Sequence, residues 1–238
     1  MFEKIRRIVW KVVLYSFLFS VGIVVVYRFV PVPLTILMVQ RCLEQKLDGK
    51  EVRLEKDWVS ADEISHHLPM AVVASEDQRF LYHHGFDFEA IEKAVKHNEK
   101  QKKRKKPRIR GASTISQQTA KNTFLFPARS FVRKGLEVYF TGLIELLWSK
   151  ERIMTVYLNV IEMGDGIYGA EAAAQHYFGH SAAKLTASES ALIAAVLPNP
   201  RRFNAGKPSG YIRGRQATIQ AQMRNLGGKL DYDSKKPE

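Results

Sequence analysis

The chain has 238 residues, 45% of them apolar, enough for one large or two small domains with a proper core. A formal charge of +13 and a pI near 9.8 call for an anionic partner: nucleic acid, a lipid surface or a phosphorylated substrate. Cys42 is the single cysteine, which excludes an intramolecular disulfide and a cysteine-based zinc site.

Residues 1–11 carry Lys4, Arg6, Arg7 and Lys11, and no charge follows from Val12 to Tyr27. The apolar stretch approaches the ~20 residues a membrane helix needs, with Lys11 and Arg28 able to snorkel. Residues 12–30 therefore read as one transmembrane helix. Basic residues ahead of the span favour a cytoplasmic N-terminus and put everything after Arg28 outside the cytoplasm. A cleaved signal peptide is the competing reading, but no small-x-small site follows Tyr27, and Pro31-Val-Pro33 reads as a stiff exit from the bilayer. Residues 31–59 read as a membrane-proximal linker and 60–238 as a globular domain.

From Leu34 onward the pattern is mostly helical, with only short strand candidates, so the fold class is mostly α. Ser60-Ala-Asp-Glu63 and Thr186-Ala-Ser-Glu189 have capping-box spacing ahead of apolar segments, and Pro198 closes the second. Asp87 is placed to cap a helix whose apolar face would be Phe88, Ile91 and Val95. Phe131 to Trp148 is apolar on most sides and predicts a core helix; Ile153, Val156 and Tyr157 give the next helix a buried stripe. Lys100 to Arg110 is the densest positive run, read either as a solvated loop or as an attractor for anionic lipid or phosphate at ~1 kcal/mol per basic residue near a charged surface.

Chemistry concentrates from Glu76 to Asp87. Two carboxylates, Arg79, two histidines and Gly85 follow directly on the apolar run Ala71–Ala74, and a buried element ending abruptly in charge can deliver an acid or base to a cleft. Downstream, a helix from about Thr114 would align Thr114, Gln117 and Lys121 on one face with Gln118 and Asn122 flanking, a face suited to a sugar or a phosphate. Arg133 and Glu137 are one helical turn apart on an apolar helix, where a carboxylate is retained most readily if paired or functional.

Three other matches carry nothing. Gly164-Asp-Gly-Ile-Tyr-Gly169 has dinucleotide spacing but follows a helical segment. Ser181-Ala-Ala-Lys184 lacks the companion boxes of a transpeptidase. The seven histidines show no metal-ligand spacing, so no metal site is assigned.

Taken together, these segments resemble peptidoglycan glycosyltransferase family 51. Glu76, Asp77, Phe80, His83 and Gly85 match its first motif and Gly111 to Asn122 its second. Arg133, Lys134 and Glu137 match the third; Lys150, Ile153, Tyr157, Leu158 and Asn159 match the fourth. The fifth departs: Val196-Leu197 are present, but Ala191-Leu192 stand where two arginines are expected, and Arg201-Arg202 come later. With no transpeptidase boxes before Glu238, the chain is similar to the monofunctional branch.

The resemblance implies a lysozyme-like helical domain at the outer face of the cytoplasmic (inner) membrane, in the periplasm of a Gram-negative cell, polymerising lipid II into β-1,4-linked glycan strands with inversion and release of undecaprenyl pyrophosphate. It makes Glu76 the general base and Glu137 the second catalytic carboxylate. It draws substrate contacts from Asp77, Ser113, Thr114, Gln117, Gln118, Lys121, Asn122, Arg129, Arg133 and Lys134. No cofactor is required, although the family permits a divalent cation, Mg or Mn, on the pyrophosphate. Partners would be lipid II, the lipid-linked glycan chain, the membrane, and cell-division or cell-wall synthesis proteins, with no nucleic acid. Two alternatives stay open: a lysozyme-like hydrolase or lytic transglycosylase, and a membrane-tethered protein binding anionic lipid or nucleic acid.

Overall fold

The computed structural model describes residues 2–102, 104, 111–128 and 130–232. Most of the basic run and Arg129 lie outside the described residues.

The chain is mostly helical, as its periodicity predicts. Helix α1, Phe2–Phe29, takes in the basic start as well as the apolar stretch and is long and apolar enough to cross a membrane. Residues 31–59, read from sequence as a linker, contribute helix α2, Ile36–Leu47, capped by Thr35, and strand β1, Glu55–Lys56. Two further strands, β2 at Glu162–Gly164 and β3 at Ile167–Tyr168, complete a small sheet of order β1-β3-β2. Strand β1 runs parallel to β3, with Glu55 opposite Ile167, and β2 runs antiparallel to it. The glycine-rich stretch 164–169 is thus a hairpin behind a helix, with Gly166 at φ 72° in its turn, which removes the dinucleotide reading.

Helix α3, His67–Glu76, and helix α9, Ala187–Val196, behind the Thr186–Glu189 capping box, are apolar all round. They bury each other, with α10, Gly210–Asn225, packed on both. Helix α5, Ile115–Phe124, lies between α6, Phe131–Leu147, and α7, Lys150–Val160; α8 is Ala170–Phe178. Tyr157 and Tyr168 are the largest fully buried side chains of the resulting core.

Two predicted faces are corrected. Asp87 does cap α4, Phe88–Gln101, by accepting from Ala90 N–H, but Phe88 and Val95 are exposed and Ala94 is the buried apolar residue. Helix α6 is not a core helix. It buries Glu137, Phe140, Thr141 and Ile144 while Phe131, Val132, Val138 and Leu146 face outward. Periodicity reports which residues share a face, and it cannot say whether an apolar face meets protein or lipid.

Candidate active site

Glu76 stands where α3 stops. The next residue, Asp77, leaves helical geometry at φ −159°, ψ 78° while its N–H still closes on Val73 O, so the helix presents Glu76 on its last turn. The turn beyond is held from inside. The Asp77 carboxylate accepts from His83 Nε2 at 2.9 Å and from Ile115 N–H at 3.0 Å. His83 Nδ1 accepts from Gly85 N–H at 3.1 Å, which assigns the imidazole proton to Nε2. Gly85 sits at φ +88° and a Cβ there would meet Thr141 Cγ2 at 2.7 Å, so glycine is required both by conformation and by space. Its carbonyl accepts from Thr114 Oγ1 at 2.6 Å.

Thr114 in turn caps α5, in a capping box with Gln117. The first and second motifs are therefore one bonded unit, and the entry of α5 is fixed relative to Glu76. The consequence appears one turn along: Gln118 Nε2 donates to Glu76 Oε2 at 3.1 Å, and Ser75 Oγ donates to Oε1 at 3.3 Å. Tyr157 O–H donates to Gln118 Oε1 at 3.4 Å. Burial, with Glu76 and Asp77 nearby, pushes the Tyr157 hydroxyl well above its ordinary value, so it stays a donor and fixes which way the amide points.

Glu76 lines a cavity of about 230 Å³ with Arg79, Lys93 and the segment Gly111–Thr114, which brings Ser113 to the wall. Gln118 lines a second cavity, of about 500 Å³, together with Lys121, Asn122 and Arg133 and with apolar Leu125, Phe126 and Leu197. Both spaces carry mixed charge, and the Gln118–Glu76 hydrogen bond ties a wall residue of one to a wall residue of the other.

Glu137 is on the wall of neither. Its side chain is 4% exposed, with Arg133 Nη1 at 2.6 Å on one oxygen and Lys134 Nζ at 2.5 Å on the other. Burial alone would raise its pKa, but the hydrogen bonds from Lys134 and Arg133 outweigh that and hold it below its ordinary value. Both oxygens are engaged by cations, so Glu137 aims them. Lys121, ringed by protein yet open to the cleft, is lowered by desolvation, with Glu137 opposing and Arg133 and Lys134 adding.

Of the residues nominated from sequence, Glu76, Ser113, Gln118, Lys121, Asn122 and Arg133 line the two spaces. Asp77 and Thr114, which also border the smaller space, and Gln117 are buried, with their side chains bonded within the protein as described. Asn122 Nδ2 also donates to Gln118 O. The fourth-motif Lys150 braces the first motif, donating to His83 O at 2.6 Å and Glu145 Oε1 at 2.7 Å while lying 4.7 Å from the centre of the Phe80 ring.

Two wall residues and one residue behind the wall escaped the sequence reading. Arg41, from the segment read as linker, and Glu162, 3.7 Å apart, line the larger space. Burial raises the pKa of Glu162; its signal was a lone charge after apolar Val160-Ile161. Arg215 answers the missing arginines of the fifth motif. Ala191 and Leu192 are buried in α9, whereas Arg215 reaches over from α10 to Ala195 O at 3.2 Å and to Ser75 Oγ at 3.3 Å, beside Glu76. Arg201 turns away to Asp165 at 3.3 Å.

Among the described residues no three His, Cys, Asp or Glu converge on a metal-sized site. The larger cleft sets three cations, Arg41, Lys121 and Arg133, against one carboxylate, Glu162, an excess of positive charge that suits phosphate oxygens directly.

Comparison with known proteins agrees with this geometry. The transglycosylase family matches residues 44–224. A biosynthetic peptidoglycan transglycosylase of Bacteroides thetaiotaomicron is 56% identical over 234 residues, covering 98% of this chain and 92% of that protein. Proteins of the same description from Bdellovibrio bacteriovorus, 55% identical over 217 residues and covering 91% and 85%, and from Escherichia coli K12, 52% identical over 229 residues and covering 96% and 93%, match similarly. The chain belongs to the transglycosylase family, glycosyltransferase family 51, and is a peptidoglycan glycosyltransferase.

Proposed function

We propose that the chain polymerises lipid II into β-1,4-linked strands at the outer face of the cytoplasmic membrane, with the acceptor sugar in the smaller cavity and the donor pyrophosphate in the larger. The observation carrying this reading is the Gln118 bridge, which ties Glu76 on the wall of one space to the wall that bears Lys121 and Arg133 in the other. Glu76 takes the proton from the acceptor 4-hydroxyl as that oxygen attacks the donor anomeric carbon, a role worth about 10² to 10⁴ in rate. The bond to the pyrophosphate breaks on the opposite face, giving inversion. The departing negative charge is met by Lys121 and Arg133, with Lys134 beside them, through charge-assisted hydrogen bonds. Arg129 precedes α6 in sequence and is proposed to join them.

The anchor fits this substrate. Helix α1 is taken as a single-pass span with a cytoplasmic N-terminus, and the outward apolar residues of α6 and exposed Phe126 are taken to meet the lipid from which the substrate arrives. No step is assigned to a divalent ion.

Incubation of the purified full chain with lipid II tests the reaction: glycan polymer is expected, whereas shortening of preformed strands with no polymer would identify a hydrolase. The pH dependence tests the role of Lys121. Since desolvation lowers its pKa, rising pH removes this cation earlier than an ordinary lysine, and kcat/KM is expected to fall on the alkaline side below the usual lysine range. Lys121→Arg, which keeps its charge, is expected to move that limb upward. Folding disfavours the charged lysine, so losing the proton relieves the folded state; the limb should therefore not coincide with unfolding.

A further inference from the structure

Arg152, on α7, is half-buried, and among the described residues no carboxylate offsets its burial. Burial lowers its pKa, as it does that of Lys56 on β1. Cations held in such surroundings need a compensating partner, and these two find one in the end of α1 and the short segment that follows it. The Arg152 guanidinium donates to Tyr27 O at 2.6 and 3.0 Å and to Val30 O at 2.5 Å. Lys56 Nζ donates to Val32 O at 3.0 Å, and Trp148 Nε1 to Val24 O at 2.8 Å. The Trp58 ring lies 5.3 Å from the Arg152 guanidinium and 5.4 Å from Lys56 Nζ.

The last carbonyls of a helix have no partner within it and carry its negative dipole end. Where a helix leaves a bilayer, unsatisfied carbonyls are costly. Side chains from three separate parts of the domain converge on this one stretch, with Val24 and Val32 fully buried beneath them. The same end of α1 also touches the helices bearing the cleft cations. The Tyr27 ring is 6.1 Å from that of Phe124, the last residue of α5, and Phe124 stacks at 4.7 Å on Phe140 of α6. One layer nearer the cytoplasm, Ser20 Oγ and Tyr139 O–H share a hydrogen bond of 2.8 Å.

We propose that the membrane helix is a wall of the catalytic body rather than a tether: the clamp of Arg152, Lys56 and Trp148 on backbone carbonyls of residues 24–32, the last turns of α1 and its exit, holds α5 and α6 at a fixed height and angle to the bilayer. Arg152 and Lys56 are positioning residues. Without the clamp, the cleft would sample many orientations over the membrane and meet lipid-borne phosphates less often in reactive geometry. The activity arm of the test rests on the lipid II reading above; the distance arm does not.

The test uses the full chain with Cys42→Ser, spin-labelled at the exposed positions Phe19 and Lys184, in nanodiscs. One narrow distance distribution is expected, broadening in Arg152→Gln and further in the double variant Arg152→Gln with Lys56→Gln. Polymerisation in bilayers is expected to fall about 5- to 10-fold in kcat/KM in both variants and less than about 2-fold in detergent, where orientation to a membrane does not matter. Arg152→Lys should recover part of the loss. A distribution that is broad in the unmodified protein or stays narrow in both variants, or equal losses in bilayer and detergent, overturns the proposal.

Discussion

Glu76→Gln is expected to abolish glycan polymerisation while leaving lipid II binding largely intact. The substitution keeps shape, and Gln118 can still donate to the new amide oxygen, so the bonded turn behind it has no reason to move. What disappears is the ability to accept a proton. General-base catalysis is worth about 10² to 10⁴ in rate, and the fall should appear in kcat with little change in the apparent affinity for lipid II. Turnover of labelled lipid II followed on gels, beside a binding measurement and a melting curve, separates these quantities. Retention of more than about a tenth of the rate would remove Glu76 from this role. A protein serving only to bind anionic lipid would be indifferent to the change.

Asp77→Ala is expected to act on the fold instead. The side chain is 3% exposed, and its oxygens accept from His83 Nε2 and from the Ile115 amide. Removing a buried, hydrogen-bonded carboxylate strands both donors and costs about 3 kcal/mol or more. In a domain of this size that corresponds to a melting temperature lower by about 6 to 12 °C. Activity should fall as well, because the same bonds set the entry of α5 and hence the place of Gln118. Ser113→Ala, on the exposed wall of the same cavity, is the control and should leave melting unchanged. If Asp77 instead touched substrate, its loss would raise KM at constant melting temperature.

The two adjacent carboxylates illustrate what a linear motif conceals. They look equivalent in sequence, yet one ends a helix facing a cavity and the other begins a turn facing the core. Glu137 is a similar case. Its spacing from Arg133 predicts an ion pair, and the pair is present, but only the packing of α6 shows both oxygens engaged by cations and neither open to a cavity. Thr114 and Gln117 have the right period for a polar binding face, and a capping box consumes them. Periodicity locates a face; it does not know which hydrogen bonds a helix end will claim first.

What the sequence determined by itself was whatever depends on neighbours along the chain. An uncharged stretch after a basic start gives a helix long and apolar enough to cross a membrane, capping residues give the starts of α4 and α9, and four ordered motifs give the family. Tertiary structure decided what depends on neighbours in space. It took Arg41 and Glu162 from stretches with no motif and set them in the cleft wall. It also supplied Arg215 from α10 where α9 has only Ala191 and Leu192. It turned the apolar side of α6 outward and seated residues 24–32, the last turns of α1 and its exit, on Arg152, Lys56 and Trp148. A carbonyl at a helix end has no sequence signature for its partner, because that partner can come from any segment the fold brings within about 3 Å.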